Sequence, residues 1–170
     1  MPLTFVRGDL FRSRAQTLTN PVNCVGVMGA GLAREFRERF PLMYVDYQIR
    51  CEREEVRLGC PYVWRNPSGP WVTDGSRLAG ASSSRGNLVG GCGSLVLNFP
   101  TKGDPGEPSR LGPIREGLEF VAAHAVVWGI TSLAVPALGC GLGRLAWSDV
   151  RPLIVRALSA LPIPVEVYEP

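Results

Sequence analysis

Short apolar segments alternate with amphipathic helical segments along most of the chain, and this alternation limits the possible folds more than any other feature of the sequence. The apolar segments have the length and residue types of buried strands, and they span residues 3–8, 17–22, 94–99, 132–138 and 164–170. The helical segments carry apolar residues at intervals of three and four, and they span residues 31–40, 42–54, 113–129 and 148–161. We therefore predict a layered α/β domain with a largely parallel or mixed sheet.

Local signals set the expected ends of several elements. Pro21 is expected to end the second strand, because proline cannot donate a hydrogen bond to a sheet. Ser148 is predicted to be the N-cap of the last helix. Residues 61–64 and 70–73 predict a hairpin, and the Gly- and Ser-rich residues 74–93 predict a mobile loop without secondary structure.

The cysteines and the histidine argue against a disulfide framework and against a metal site. The five cysteines are scattered and form no C-x-x-C pair, which is typical of free thiols in a reducing compartment. The only histidine, His124, lies on a predicted helix, where we expect a structural role. The N-terminal residues carry charges where a signal peptide has an apolar core, and no apolar stretch reaches the ~18 residues that span a membrane. We expect a cytoplasmic protein with no membrane contact, bound metal or cofactor.

Two glycine-rich stretches, residues 20–33 and 136–147, follow predicted strands and lead into predicted helices. Such loops bring backbone N–H groups and a helix N-terminus close to an anion, so two of them predict a site for a diphosphate. Neither stretch is a P-loop, and Arg34 stands where a dinucleotide-binding motif requires Gly or Ala. Tight turns without a ligand are the alternative interpretation.

The segment "NFPTKGDPGEP", residues 98–108, contains the only lysine of the chain, Lys102, beside 17 arginines elsewhere. Arginine cannot lose its proton near neutral pH, whereas a lysine can become a neutral amine and act as a nucleophile. Taken alone, such a residue is most simply an ordinary surface lysine. A position that needs an amine able to lose its proton is the alternative.

In order along the chain, "GDL", "NPVNCVGVMGAGLAREFRERFP", "NFPTK" and "PALGCGLGRLAW" resemble the macrodomain family, over nearly the whole range from Leu3 to Tyr168. The branch that the chain most resembles contains the DarG-type DNA ADP-ribosyl glycohydrolase antitoxins and the terminal ADP-ribose protein glycohydrolases. The resemblance implies a three-layer α/β/α macrodomain with a central mixed sheet. It would occupy residues 1–170 as a single domain, with a flexible insertion at about 66–93.

The same resemblance implies a role for individual residues in binding ADP-ribose. Lys102 matches the catalytic lysine, which acts at C1″ of the distal ribose. The residues that match positions in contact with the ligand are Asp9 and Leu10 at the adenine, Asn23 at the distal ribose, Gly29, Ala30, Gly31 and Leu32 in the first loop, Thr101 beside the lysine, Gly139, Cys140, Gly141, Leu142 and Gly143 in the diphosphate loop, and Tyr168 at the adenine.

One position departs from the protein-directed members of this branch. They carry an aspartate in the second loop, in a pattern like G-C-G-L-D-R-L, where this chain has Gly143. The DarG-type loop lacks that acid as well, so the resemblance implies removal of ADP-ribose from DNA, from a thymine base, by a monomeric antitoxin whose partner is a DNA-modifying toxin. The net charge of +3 permits such a polyanionic substrate. A reader module that binds ADP-ribose without turnover and a hydrolase of protein-ester-linked ADP-ribose are the alternatives.

Overall fold

The computed structural model describes residues 3–69 and 94–170, and these residues form six strands and four α-helices. The strands are β1 (Leu3–Val6), β2 (Thr17–Val22), β3 (Tyr62–Arg65), β4 (Leu95–Pro100), β5 (Leu133–Val135) and β6 (Val165–Tyr168). The helices are α1 (Gly31–Arg39), α2 (Pro41–Glu52), α3 (Leu111–His124) and α4 (Trp147–Leu158), and a short 3₁₀ helix covers Leu10–Arg12. The second half of the predicted hairpin (70–73), the predicted loop 74–93 and most of the predicted insertion 66–93 lie outside the described residues.

The strand order places the ends of three parallel strands side by side. The sheet runs β1-β6-β5-β2-β4-β3, and neighbouring strands are parallel except for β3, which pairs antiparallel with β4. The predicted mixed sheet is therefore confirmed. Because β2 lies between β4 and β5, the loops that follow these strands emerge at one edge of the sheet, where open α/β sheets bind ligands. The register sets Val22 opposite Pro100, so the chain leaves β2 and β4 at the same level.

Helices cover both faces of the sheet. Adjacent residues of β4 face opposite sides, because side chains alternate along a strand. Leu97 packs in one core cluster with Ile114 of α3, whereas Val96 packs in the other with Phe36 of α1. The three-layer α/β/α architecture is therefore confirmed. No helix within 3–69 and 94–170 is long and apolar enough to cross a membrane.

The last helix begins earlier than predicted. Its N-cap is Ala146, in extended backbone geometry, and Ser148 lies inside the first turn. The backbone N–H groups of Asp149 and Val150 both donate to the Ala146 carbonyl, at 3.0 and 3.2 Å. The prediction that Ser148 caps α4 is therefore wrong, because these backbone hydrogen bonds start the helix two residues earlier, at the Ala146 N-cap.

The regular part of α3 ends at His124, before the end of the predicted helix 113–129, and turns continue to Gly129. Gly129 has φ +74°, a left-handed conformation that ends such turns, and Ile130 N–H donates back to the Ala125 carbonyl at 3.0 Å. The predicted end at residue 129 is therefore the end of these turns. As expected for a structural role, the His124 ring stacks on Phe120, with 4.1 Å between the ring centroids.

Candidate functional site

A cavity of about 530 Å³ opens at the edge of the sheet where β2, β4 and β5 end. This volume is typical of small-molecule sites. Its lining comes from the segments that follow these three strands and consists of Pro21, Val22, Asn23, Val27, Gly29, Ala30, Gly31, Leu32, Ala33, Thr101, Lys102, Pro105, Pro136, Ala137, Gly139, Gly141, Leu142 and Gly143. Both glycine-rich stretches and the lone lysine therefore meet at one cavity, although they are far apart in sequence.

Most of the site residues predicted from sequence line this cavity. They are Asn23, Gly29, Ala30, Gly31, Leu32, Thr101, Lys102, Gly139, Gly141, Leu142 and Gly143. Four predicted residues do not line it: Asp9, Leu10, Cys140 and Tyr168. Asp9 follows the end of β1, and Tyr168 is the last residue of β6. These two strands are paired, with Val6 opposite Tyr168.

The contacts of these outlying residues are local. The exposed Asp9 carboxylate accepts a hydrogen bond from Phe11 N–H at 2.9 Å and caps the 3₁₀ helix, while Leu10 is buried in the core. Tyr168 is largely buried, and its hydroxyl donates to the Glu166 carboxylate at 3.1 Å. Because all strands but β3 are parallel, Asp9 and Tyr168 still lie at the same edge of the sheet as the cavity.

Asn23 organises the first loop through its side chain. Its carbonyl oxygen accepts from the N–H groups of Val25 and Val27 at 3.1 and 3.3 Å, and its amide donates to the Val27 carbonyl at 2.6 Å. The Tyr47 hydroxyl lies 2.7 Å from the same Asn23 side-chain oxygen and 2.8 Å from the Asn23 backbone carbonyl oxygen, and its single proton serves these two acceptors. These contacts occupy the side-chain oxygen of Asn23 and one of its two amide hydrogens. The second amide hydrogen is left for a ligand.

The contact of Tyr47 with Asn23 is a feature of the first loop that the sequence did not reveal. Tyr47 is fully buried, and burial raises the pKa of its hydroxyl well above the usual value, so it stays a neutral donor. Its place on the core face of α2 was visible from the spacing of apolar residues. Its bond to Asn23 was not, because this bond joins residues of two different elements.

The first loop ends in a helix N-terminus that no side chain caps. The N-cap is Ala30, and Gly31, the first residue of α1, has φ +56°. The first backbone N–H groups of a helix have no partner within the helix, and the helix dipole makes this end favourable for negative charge. Both Ala30 and Gly31 line the cavity, so this helix end can receive an anionic group there.

Backbone hydrogen bonds hold the second loop in a tight fold. Leu145 N–H donates to the Gly139 carbonyl at 2.9 Å, and Arg144 N–H donates to the Gly141 carbonyl at 3.0 Å. Gly139 has φ +72°, which favours glycine. The loop is also tied to the segment after the lysine, because Ser109 N–H donates to the Gly143 carbonyl at 2.9 Å.

Steric contacts explain why position 143 is glycine. A β-carbon on Gly143 would come within 2.5 Å of the Gly139 carbonyl oxygen and would collide with the Ser109 hydroxyl. The aspartate that the family resemblance associates with protein-directed members at this position therefore does not fit this loop. Ser109 is a further residue that the sequence did not single out.

Lys102 lines the cavity, two residues after the end of β4. Its amine donates to the Pro105 carbonyl at 3.0 Å, and both residues line the cavity. The preceding Thr101 is buried, and its N–H donates to the Val22 carbonyl at 2.9 Å. The end of β4 is therefore fixed to the end of β2, which gives the base of the lysine side chain a defined position.

Cys140 gives no sign of a nucleophile. Burial raises the pKa of its thiol, which disfavours the reactive thiolate. The thiol lies 3.6 Å from the Leu138 carbonyl, its nearest hydrogen-bond acceptor. Across residues 3–69 and 94–170 there is also no group of three His, Cys, Asp or Glu side chains that could hold a metal ion.

No protein-family model matches the chain, but individual proteins do. A DNA ADP-ribosyl transferase-DNA ADP-ribosyl glycohydrolase fusion protein of Thermosipho africanus is 42% identical over 99% of this chain and 42% of its own length. The solved structure of Thermosipho africanus DarTG in complex with ADP-ribose matches with a TM-score of 0.84 at 41% identity, over 99% of this chain and 42% of that chain. The macrodomain of Mycobacterium tuberculosis DarG matches with a TM-score of 0.82 at 36% identity, over 99% of this chain and 97% of that chain.

A relative of similar length points to the same family. The ADP-ribose glycohydrolase OARD1 of Bos taurus is 38% identical, over 98% of this chain and 90% of its own length. The longer curated relatives are matched over about two fifths of their length only. With a shared fold and with identity across nearly its full length, the chain belongs to the macrodomain family, alongside the DarG macrodomains and OARD1.

Proposed function

We propose that the chain is an ADP-ribosyl glycohydrolase that removes ADP-ribose from DNA, with Lys102 as the catalytic residue. One observation carries the proposal: the only lysine of the sequence lies at the edge of a cavity that both glycine-rich loops line. A reader module needs the two loops but has no need of an amine that can lose its proton.

In this proposal the two loops bind the diphosphate of ADP-ribose. The N-terminus of α1 and the backbone N–H groups of residues 141–143 supply hydrogen-bond donors, and glycines allow a close approach of the ligand. Asp9, Leu10 and Tyr168 would bind the adenine beyond the cavity, at the ends of β1 and β6. The distal ribose then lies towards Asn23 and Lys102, on the side of the first loop.

The proposed reaction is a nucleophilic displacement at C1″ of the distal ribose. The neutral amine of Lys102 forms a bond to C1″ while the bond from C1″ to the thymine base breaks, and its electron pair leaves with the base. The amine loses a proton, which passes through water to the base. The ribose ring of this adduct then opens, so that C1″ and the lysine nitrogen form an imine and the ring oxygen takes up a proton. Water adds to the imine, the C1″–N bond breaks, and ADP-ribose and the free amine are released.

Several facts support DNA as the carrier of the modification. Longer relatives, including that of Thermus aquaticus, are named DNA ADP-ribosyl glycohydrolases. Position 143 excludes the loop acid that the resemblance associates with protein-directed enzymes. The Thermosipho africanus relative is named as a fusion with a DNA ADP-ribosyl transferase, which supports a DNA-modifying toxin as the partner of this chain. We place the chain and this toxin in the cytoplasm.

The direct test offers two substrates to matched variants. Wild type, Lys102→Ala and the control Arg115→Ala, which removes one positive charge from the exposed surface of α3, are incubated with ADP-ribosylated single-stranded DNA and with Glu-ADP-ribosylated protein. We expect wild type and Arg115→Ala to release ADP-ribose from DNA, and Lys102→Ala to release none.

The other outcomes separate the alternatives. Binding of ADP-ribose without release from either substrate would show a reader. Release from protein alone, which the name of OARD1 leaves open, would show a protein-ester hydrolase. Full activity of Lys102→Ala would contradict the proposed mechanism.

A further inference from the structure

A tight turn directly after Lys102 supplies the acceptor that holds the lysine amine. The turn comprises residues 103–107, with the sequence Gly-Asp-Pro-Gly-Glu. The Asp104 side chain accepts from Gly106 N–H at 2.9 Å, and the Asp104 carbonyl accepts from Glu107 N–H at 3.1 Å. A side-chain bond of this kind from Asp to the backbone two residues later fixes the turn conformation.

The turn fixes where the Pro105 carbonyl points. Proline has a restricted φ, and its neighbours on both sides are held by the two hydrogen bonds of Asp104. The start of the turn is anchored as well, because the Gly103 carbonyl accepts from Cys24 N–H of the first loop at 3.0 Å. The Pro105 carbonyl is thereby held 3.0 Å from the Lys102 amine.

We infer that Asp104 is a positioning residue for Lys102, acting through the Pro105 carbonyl. This inference rests on the proposed function, in which the amine attacks C1″. A lysine side chain has many rotamers, so a fixed acceptor reduces the conformations that the amine must search. The Pro105 carbonyl accepts a hydrogen bond from one N–H of the amine, and a carbonyl accepts hydrogen bonds without removing a proton. The lone pair of the neutral amine therefore stays available for the bond to C1″.

The inference separates the positioning of the amine from the binding of ADP-ribose. Asp104 is exposed and does not line the cavity. Loss of its side chain should therefore slow the step at C1″ and leave the affinity for ADP-ribose unchanged. A purely structural role would lower the thermal stability and the affinity together.

The test compares Asp104→Ala with Asp104→Asn in single-turnover release from ADP-ribosylated single-stranded DNA. Asparagine keeps the oxygen that accepts from Gly106 N–H and removes only the charge. We expect Asp104→Ala to lower the rate constant by about tenfold or more, because small displacements of a reacting group have large effects on rate. Asp104→Asn should recover most of the rate. Glu119→Ala, which removes an exposed carboxylate of α3 outside the cavity, is the matched control.

Two further measurements make failure specific. The affinity for ADP-ribose and the melting temperature are measured for each variant, and a parallel fall of both in Asp104→Ala would overturn the inference in favour of a structural role. Equal loss of rate in Asp104→Asn and Asp104→Ala would also overturn it. If Lys102→Ala is inactive but Asp104→Ala matches wild type, only the positioning role is wrong. If Lys102→Ala is active, the catalytic role of Lys102 in the proposed function is wrong, and the positioning role falls with it. If wild type itself releases no ADP-ribose from DNA, the proposed function is wrong.

Discussion

The backbone N–H of Ser109 donates to the carbonyl of Gly143 at 2.9 Å, and the Ser109 hydroxyl occupies the space that a side chain at 143 would need. This pair joins the second glycine-rich loop to the segment that follows Lys102. The relationship makes glycine at 143 a requirement of packing. The absence of an acid at this position therefore follows from the packing of the loop.

The first prediction tests this packing with two glycines of the same loop. Gly143→Ala should lower the free energy of unfolding by about 1–3 kcal/mol, because overpacking forces the backbone to move. Gly141→Ala should change it by less than about 0.5 kcal/mol, since a β-carbon on Gly141 meets no atom within 4 Å. Thermal or denaturant unfolding measures both. Equal stability of the two variants would contradict the packing argument.

The same contact predicts the fate of an introduced acid. Gly143→Asp should lose affinity for ADP-ribose and should gain no activity on Glu-ADP-ribosylated protein, because the loop has to open to admit the side chain. Adding Ser109→Gly removes one of the two obstacles but leaves the Gly139 carbonyl within 2.5 Å of the new β-carbon. Calorimetric titration with ADP-ribose and a release assay check this. An active, well-folded Gly143→Asp variant would show that the loop adapts easily.

A second pair of variants tests the support of the first loop. Tyr47→Phe removes the hydroxyl that donates to Asn23 at 2.7 Å and should destabilise the protein by about 1 kcal/mol, and it should weaken ADP-ribose binding. Tyr44→Phe is the matched control, since the Tyr44 hydroxyl donates to the Gly26 carbonyl at 3.4 Å and accepts from the Gln48 amide at 3.1 Å, and neither bond involves Asn23. Unfolding and binding titrations should separate the two variants. A larger effect in Tyr44→Phe would contradict the assigned role of Asn23.

The sequence predicted the fold and the approximate place of the site because both depend on short-range patterns. Periodicity located the strands and helices, and the glycine-rich stretches and the lone lysine stood out by composition. The contacts that define the site are long-range. Ser109 with Gly143 and Tyr47 with Asn23 depend on strand order and register, which no local pattern contains. For the same reason, the family motif alone could not show that Tyr168 lies outside the cavity lining.

A fourth prediction concerns a polar pair in the sheet. The Asn20 side chain donates to the Asn98 side chain at 3.0 Å, and the two residues are register partners in β2 and β4 and fully buried. Asn20→Leu should destabilise the protein by about 1–3 kcal/mol, because it removes the donor to the buried side-chain oxygen of Asn98. The double variant Asn20→Leu/Asn98→Leu should recover part of the loss. A double-mutant cycle of unfolding free energies measures the coupling, and strict additivity would contradict it.

The last prediction separates the chemistry of Lys102 from its charge. Lys102→Arg keeps the positive charge in a chain whose other basic side chains are all arginine, so it should preserve folding and binding of ADP-ribose. It should lower the single-turnover release rate by about 100-fold or more, because a guanidinium does not supply a neutral amine near neutral pH. Trapping with borohydride should label wild type during turnover but not Lys102→Arg, since only the lysine can form a reducible imine. If Lys102→Arg released ADP-ribose as fast as wild type, the side chain would act as a charge alone and the covalent step would have to be abandoned.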